Sequence, residues 1–366
     1  MRIVFVGGGT AGHVNPALSI ASVMRDNLSD VHIDFIGTPR GIENVLVKKA
    51  GYNVYHIEAC GLKRSLSPKN LLLPFKILNS VKKSKKLLSA IRPDIVIGTG
   101  GYVCYPVLRA AQQMRIKTAV HESNAIPGLT VKMIAKKADC IMLNFDECTK
   151  YFRRKDNITV TGNPMPNTFI RQNREKCRQD LGISNDKIFV LSFGGSIGAE
   201  HLNDACLDVI SKMKDRNDLC FLHATGNRNY PECNKKASGL GIGKNARILP
   251  YIDDMWRVMA AADIVISRAG AMTLSELAIS GKASILVPSP YVTGNHQYKN
   301  AKALSDADAA LIVEEKELCS GKLQEALLTL ISSEKLRCKM ATNIEKFAKK
   351  NANRDIFYTI MHVINR

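Results

Sequence analysis

The 366-residue sequence predicts an α/β protein built from two doubly wound parallel-sheet domains. Three observations predict this. Apolar runs of strand length alternate with helical segments through the whole chain. The alternation restarts at Ile188 after a polar interval. Each half also opens with an apolar strand running into a glycine-rich turn, Gly7-Gly8-Gly9-Thr10-Ala11-Gly12 in the first and Gly194-Gly195-Ser196-Ile197-Gly198 in the second. At roughly 100–200 residues per domain the length accommodates two.

In the first half, Ile3–Val6 is a strand ending in the first glycine turn, and a helical pattern follows from about Pro16 to Leu28. Val31–Ile36 is the next strand and closes at Gly37-Thr38. Asp94–Gly98 is flanked by Pro93 and by Gly100-Gly101. Thr118–Val120 leads into His121-Glu122-Ser123-Asn124. Cys140–Leu143 and Ile158–Val160 complete a parallel set. In the second half Ile188–Phe193 enters the glycine turn and a helix runs to about Met213. Leu219–His223, Arg247–Leu249, Asp263–Ser267, Ser284–Val287 and Ala310–Val313 read as strands with helices between them. The expected domains are 1–163 and 164–344, facing a cleft, with a C-terminal helix over about 345–366 packing back on the first. The polar stretch Pro164–Asn185 reads as a linker, and Lys335–Asn351 as one helix of mixed character.

Composition narrows the class. No apolar run approaches the roughly 18–20 residues that cross a bilayer. The N-terminus runs directly into a strand and resembles neither a signal nor a transit peptide. The ten cysteines are scattered without a CxxC pair, which predicts reduced thiols of a cytosolic protein rather than disulfides or a zinc site. The eight histidines form no HExxH pattern. The net charge is +19, unevenly divided: residues 1–165 carry 24 basic and 11 acidic side chains, residues 166–366 carry 28 and 22. A polyanionic partner for the first half follows, either nucleic acid or an acidic membrane face. Interleaved aromatics, zinc spacing and a helix-turn-helix are missing, so nucleic acid is not expected.

Glycine at a strand–helix turn admits positive φ and close ligand approach, and the helix start offers N–H groups to an anion. The first turn matches G-x-G-x-x-G by letter, but Gly37-Thr38 stands where a dinucleotide site would place an acid. Neither turn is a Walker A. Two anion loops suit a diphosphate donor and a diphosphate acceptor.

The chain resembles the MurG family, the bacterial UDP-N-acetylglucosamine–lipid I N-acetylglucosaminyltransferases of glycosyltransferase family 28. The resemblance spans essentially all of it. It rests on Gly8–Val14, Gly98-Thr99-Gly100-Gly101-Tyr102, His121-Glu122-Ser123-Asn124, Gly162-Asn163-Pro164, Phe193-Gly194-Gly195-Ser196, Tyr251-Ile252-Asp253-Asp254-Met255, Arg268–Glu276 and Asn295-His296-Gln297. It implies the GT-B fold of two Rossmann-like domains, with acceptor in the first and UDP-GlcNAc mainly in the second. The implied reaction is inverting: the C4 hydroxyl of the MurNAc unit of undecaprenyl-diphosphate-MurNAc-pentapeptide (lipid I) attacks C1 of the donor sugar and UDP leaves.

The resemblance implies roles residue by residue. His13 matches the histidine proposed as general base, the other reading being a neutral hydrogen-bond donor to the acceptor diphosphate. Glu122 would orient His13 or the acceptor sugar. Acceptor contacts are expected from Gly9, Gly12, His13, Tyr102, His121 and Asn124. Donor contacts are expected from Thr10, Ala11, Gly12, Asn124, Ser196, Ile252, the helix start Ala271-Met272-Thr273-Leu274-Ser275, Glu276 and Gln297. Ile252 would read uracil, Glu276 both ribose hydroxyls and Gln297 the sugar. Ser123 replaces the usual glutamine of its motif, Ile197 a longer polar residue, and Met165-Pro166 an arginine-bearing segment.

No cofactor and no obligate metal are implied; Asp306-Ala307-Asp308 matches D-x-D by letter but sits in a polar helical stretch. Residues 62–86 carry eight basic side chains and no acid, interleaved with apolar ones. Lys63, Arg64, Leu72, Leu73, Phe75, Lys76, Lys82, Lys83, Lys85 and Lys86 are therefore the expected face toward anionic membrane lipid. The family works peripherally at the cytoplasmic face of the cell membrane, and the resemblance leaves proteins of the cell-wall elongation and division machinery open as partners. The rival enzyme reading is another GT-B protein acting on a UDP sugar, such as a different transferase or an epimerase, of which the epimerase needs no lipid surface.

Overall fold

Among the described residues, which are 1–59, 73–170, 172–195 and 198–366 of a computed structural model, the chain forms a seven-stranded and a six-stranded sheet. It divides into two units: Met1–Met165 with Asn351–Arg366, and Pro166–Lys350.

In the first unit the elements run β1 (Arg2–Gly7), α1 (Ala11–Asn27), β2 (His32–Gly37), α2 (Glu43–Lys49), β3 (Asn53–His56), α3 (Leu73–Ile91), β4 (Ile95–Gly100), α4 (Cys104–Gln113), β5 (Lys117–Glu122), α5 (Leu129–Ala135), β6 (Cys140–Leu143) and β7 (Ile158–Val160). The strand order is β3-β2-β1-β4-β5-β6-β7, all pairs parallel. Helices cover both faces of such a sheet, so its strands are continuous apolar runs rather than alternating ones. Ile3, Phe5, Ile95 and Ile97 on the sheet pack with Val14, Ile20 and Met24 of α1.

The second unit runs α6 (Arg174–Leu181), β8 (Ile188–Phe193), α7 (Glu200–Lys212), β9 (Leu219–Ala224), α8 (Tyr230–Gly239), β10 (Ala246–Leu249), α9 (Met255–Ala261), β11 (Ile264–Ser267), α10 (Ala271–Ser280), β12 (Ala283–Leu286), α11 (His296–Ser305), β13 (Leu311–Ile312), α12 (Lys322–Ser332) and α13 (Glu334–Glu345). Its parallel order is β10-β9-β8-β11-β12-β13. Val190, Phe221, Ile264, Ile266 and Ile285 form the sheet side of its core, against Leu202, Val209, Leu327 and Met340. A last helix, α14 (Ala352–Asn365), returns to the first unit and packs on α1, β5 and β6.

Four features differ from the sequence reading. First, α1 begins at Ala11, a turn before Pro16. Thr10 is extended and its carbonyl accepts the N–H groups of His13 and Val14, so His13 belongs to the first turn of the helix. Second, the segment read as linker contains α6. Its Asn173 side chain caps it, accepting from Lys176 N, and Gly182 ends it in the left-handed region. Its buried anchor is Arg178, whose guanidinium donates to the carbonyls of Ala261, Ser184 and Lys187 and pairs with Asp263. An arginine anchor leaves no apolar periodicity to find. Third, Lys335–Asn351 is not one helix. α13 ends at Glu345 and packs on α10 and β12, and α14 starts six residues after Lys346. Fourth, β3 was missed because it is a short, exposed edge strand.

Candidate active site

In a doubly wound sheet, ligands bind beyond the carboxyl ends of the strands where the strand order reverses. In the first unit that point lies between β1 and β4, which pair at Gly7 and Gly100. The turns after these strands pack backbone to backbone. A Cβ at Gly101, whose φ is +89°, would fall 2.3 Å from the Gly8 carbonyl oxygen. A Cβ at Gly100 would come 2.5 Å from His13 Cδ2, so glycine there makes the space in which the imidazole lies.

His13 is held by its own main chain and by the loop. Thr99 Oγ1 donates to its carbonyl at 2.7 Å, and Nδ1 lies 3.2 Å from both Thr10 Oγ1 and the Gly8 carbonyl oxygen. A carbonyl only accepts, so the contact with Gly8 puts the neutral ring's proton on Nδ1 and leaves Nε2 as the basic nitrogen. With His13 and Val14 bonded to Thr10, the N–H groups of Ala11 and Gly12 have no acceptor among the described residues. Tyr102 is 39% exposed and its ring edge lies beside Gly9.

The third loop of this edge follows β5. That strand runs two residues further than the sequence suggested, so His121 and Glu122 are strand residues, both buried. His121 Nε2 donates to the Gly162 carbonyl at 3.1 Å and Nδ1 faces Ser123 Oγ at 3.4 Å. Burial, offset in part by the Gly162 bond, pushes its pKa down to about 4 and keeps it neutral. Glu122 accepts from Asn124 N and Nδ2, both at 3.0 Å, and from Gly128 N at 2.9 Å. Burial outweighs those bonds and raises its pKa. The carboxylate therefore shapes the 122–128 turn and orients the Asn124 amide.

One residue here was not legible in the sequence. Glu43, the first residue of α2 and 1% exposed, accepts from Gly9 N at 3.2 Å and from Thr38 N and Oγ1, both at 2.7 Å. It lies six residues beyond the strand end where an acid would mark a dinucleotide site, and it binds the loop rather than a ligand.

In the second unit the order reverses between β8 and β11. After β8, Gly194 packs so closely on Ala199 N that a Cβ would fall 2.6 Å away, while Gly195 has φ +90° and, among the described residues beyond its chain neighbours, nothing within 4 Å of where a Cβ would stand. Ser196 and Ile197 lie outside the described residues. After β11, Gly270 precedes α10. The side chains of Ala271 and Leu274 are buried in the core, so these two can reach a ligand only through the backbone, whereas Met272, Thr273, Ser275 and Glu276 are partly exposed.

Glu276 is half-buried and has neither a hydrogen bond nor an ion pair among the described residues. Desolvation lifts its pKa to about 7. An uncompensated carboxylate one turn from a helix start is an acceptor poised for hydroxyl donors. Ile252 is buried just beyond β10. Gln297, in the first turn of α11, accepts from Ser289 N at 2.8 Å through Oε1, which turns its NH₂ away from that bond. Arg268 donates to the Val287 carbonyl at 3.1 Å and forms a mostly buried ion pair with Glu315. That guanidinium is thus held by structural partners within the second unit.

Asp306 and Asp308 pair with Lys302 and Lys339, each at 2.8 Å, on an exposed surface. Among the described residues no three His, Cys, Asp or Glu side chains gather as metal ligands. No helix among them is long and apolar enough to cross a membrane.

On α3, Phe75 and Leu78 are 71% and 66% exposed, and Lys76, Lys82, Lys83 and Lys86 are exposed beside them, with Lys85 half-buried. Lys63, Arg64 and Leu72 lie outside the described residues, and Leu73 opens the helix. Lys83 is paired with Glu58 at 3.1 Å, so its charge is not unopposed as the local sequence suggested. Two grooves of about 430 and 440 Å³ share Tyr105 and Arg109 and carry Lys82 and Lys85 in one, Lys132, Lys136 and Lys137 in the other. The basic face thus includes α4 and α5, which no run of charge in the sequence revealed.

Comparison with known proteins places this geometry. Residues 3–143 match the glycosyltransferase family 28 N-terminal domain and residues 188–356 its C-terminal domain. A relative from Caldicellulosiruptor saccharolyticus, a UDP-N-acetylglucosamine–N-acetylmuramyl-(pentapeptide) pyrophosphoryl-undecaprenol N-acetylglucosamine transferase, is 42% identical over 97% of this chain and 96% of its own. One of the same name from Acetivibrio thermocellus is 41% identical over 100% and 98%. The crystal structure of Acinetobacter baumannii MurG superposes with a TM-score of 0.78 at 26% identity, covering 100% of this chain and 98% of that one. A putative UDP-N-acetylglucosamine 2-epimerase from Listeria monocytogenes reaches 0.67 at 13% identity over 98% and 95%, which shows a shared fold. Two parallel-sheet units of GT-B topology, both family 28 domains and full-length identity above 40% agree, and the chain belongs to glycosyltransferase family 28, among the UDP-N-acetylglucosamine–N-acetylmuramyl-(pentapeptide) pyrophosphoryl-undecaprenol N-acetylglucosamine transferases.

Proposed function

We propose that the protein transfers N-acetylglucosamine from UDP-GlcNAc to the C4 hydroxyl of the MurNAc unit of lipid I, with inversion, giving the β-1,4 linkage of lipid II and UDP. The observation that carries this reading is relationship over the full length to transferases of that name. The placement of His13 and Glu276 at the two switch points supports it.

The second unit binds the donor. The start of α10 and the turn after β8 take the diphosphate, Glu276 accepts from the ribose hydroxyls, the backbone at Ile252 reads uracil and the Gln297 amide reads the sugar. The first unit binds the acceptor through the glycine turn ahead of α1, the Gly12 N–H included, with Tyr102 and Asn124 as further contacts and His121 supporting the edge from behind. His13 Nε2 takes the C4 hydroxyl proton as its oxygen bonds to C1. The C1–phosphate oxygen bond breaks and its electron pair leaves with UDP, stabilised by helix-start N–H groups. The test is incubation with UDP-GlcNAc and lipid I with separate readouts for UDP and lipid II. Equal amounts of both are expected. Conversion of UDP-GlcNAc to an isomeric UDP sugar without any need for lipid would identify an epimerase instead.

The acceptor's polyprenyl tail stays in the bilayer, since each CH₂ drawn into water costs about 0.8 kcal/mol. The enzyme therefore works peripherally at the cytoplasmic face, on the surface formed by Phe75, Leu78 and the surrounding cations. Each lysine near an anionic surface contributes about 1 kcal/mol before screening. Replacing Lys82, Lys85 and Lys86 by glutamine should weaken binding to anionic vesicles by about 100-fold at low salt. Binding to neutral vesicles and turnover on a short-chain acceptor should hardly change. Co-sedimentation of wild type and variant to the same extent at low salt would remove this cluster from the membrane face.

A further inference from the structure

The peptide unit joining Gly8 to Gly9 is hydrogen-bonded at both ends. Its N–H donates to Glu43 Oε2 at 3.2 Å, and its carbonyl accepts from His13 Nδ1 at 3.2 Å. The other carboxylate oxygen, Oε1, takes both the N–H and the hydroxyl of Thr38. Glycines surround this carboxylate: a Cβ at Gly8, Gly37 or Gly41 would fall 2.7, 2.4 or 2.1 Å from a Glu43 atom. Burial alone would raise the Glu43 pKa, but the Thr38 and Gly9 bonds outweigh it and hold the group below the usual carboxylate range. A buried anion is costly unless hydrogen bonds compensate it. Here the compensating donors belong to the two loops that frame His13 and β2, so the charge is tied to the geometry of the glycine turn.

We propose that Glu43 is a positioning residue for His13, acting through the Gly8–Gly9 peptide. By holding the Gly9 N–H, the carboxylate fixes the direction of the Gly8 carbonyl. That carbonyl in turn holds the Nδ1 proton and leaves Nε2 as the basic nitrogen. Linked hydrogen bonds polarise one another, so the anion also makes the Gly8 carbonyl a better acceptor. The arrangement does the work of the carboxylate that sits directly on Nδ1 in a Ser-His-Asp triad, with one peptide interposed. Thr10 Oγ1, at 3.2 Å from the same nitrogen, shares the proton but has a rotatable hydroxyl and does not by itself fix the tautomer. The proposal rests on the reading of His13 as general base.

Glu43→Gln is the informative variant. It fills the same space, but both oxygen positions face backbone N–H donors, so its NH₂ must oppose either Gly9 or Thr38. With both substrates saturating, kcat should fall about 10- to 100-fold, while KM for UDP-GlcNAc stays within about twofold. In protein labelled with ¹⁵N at histidine, the His13 ring signals, assigned by their loss in His13→Ala, should move from the Nδ1–H form toward a tautomer mixture. Combined with His13→Ala, Glu43→Gln should lower kcat no further, because the two act as one unit. Glu43→Asp keeps the charge but draws it back from Gly9, and should give a partial loss; it serves if the glutamine variant does not fold. Equal kcat losses from Glu43→Gln in the presence and absence of His13, or an unaltered tautomer in a folded variant, would overturn the proposal. A near-normal kcat in His13→Ala alone would instead overturn the base assignment. The ring spectra need no turnover and would still test whether Glu43 sets the tautomer.

Discussion

Replacing His13 by alanine is expected to lower kcat by roughly 10²–10⁴-fold, the usual contribution of a positioned general base, while UDP-GlcNAc affinity stays nearly intact. The asymmetry follows from where the side chain sits. It projects from the first turn of α1, between the turns after β1 and β4, in the unit that holds the acceptor under our reading. Its ring packs against Gly100, and the Gly8 carbonyl holds Nδ1. Alanine removes the imidazole and leaves the N–H groups of Ala11 and Gly12 in place. The check is steady-state kinetics with both substrates saturating, beside calorimetric binding of the donor. A kcat within a few fold of wild type would exclude His13 as the base. Glu122 is a poor substitute, because all three of its hydrogen bonds maintain the turn to Gly128.

The second large effect is expected at Glu276. Two charge-assisted hydrogen bonds to a ribose diol, each about 1.5–3 kcal/mol, correspond to a loss of about two to four orders of magnitude in UDP-GlcNAc affinity in Glu276→Ala. The carboxyl's pKa of about 7 adds a pH signature. Hydroxyl donors favour the ionised form, so binding lowers the pKa and releases a proton. Affinity should fall as pH drops below about 7, at up to about tenfold per unit, and this slope should vanish in Glu276→Gln. Stability runs the other way. The folded-state pKa lies above that of an exposed carboxyl, so the charged group costs stability that is lost as pH rises from about 4.5 through 7. Glu276→Gln should therefore melt higher than wild type at pH 8. Calorimetry across pH 5.5–8 checks the first expectation and thermal unfolding the second. Unchanged donor affinity in Glu276→Ala would remove it from the ribose site.

The strands were legible because buried parallel strands are apolar on both faces: Ile3–Val6 and Ile188–Phe193 announce themselves in six residues or fewer. What escaped was whatever is stabilised by polar or remote partners. α6 is anchored by Arg178, and β3 has a polar, exposed sequence. The glycine turns of the site could be read because only glycine tolerates their geometry and spacing. Glu43 could not, since its partners, Gly9 and Thr38, come together only when β1 and β2 pair. The depth of His121 and Glu122 depends on β6 closing over β5, and the pairing of Lys83 with Glu58 depends on a contact 25 residues away. Local sequence carries neither.

The return of α14 to the first unit has a consequence for biosynthesis. Ile356, Ile360 and Val363 complete a core whose other members include Ile3, Phe5 and Val14. Met165 and Asn353 exchange hydrogen bonds, Met165 N donating at 2.9 Å and Asn353 Nδ2 at 2.6 Å, where the chain leaves and re-enters the unit. On the ribosome, residues 1–165 emerge first but wait for the whole of 166–350 before their last helix arrives. Each of those three apolar side chains contributes about 1.5–3 kcal/mol when buried. The nascent first unit thus lacks a sizeable part of its final stability while the second, contiguous in sequence, is free to fold as soon as it clears the exit tunnel. The unit made first is the one finished last, and its apolar surface under α14 is exposed to chaperones for the interval between.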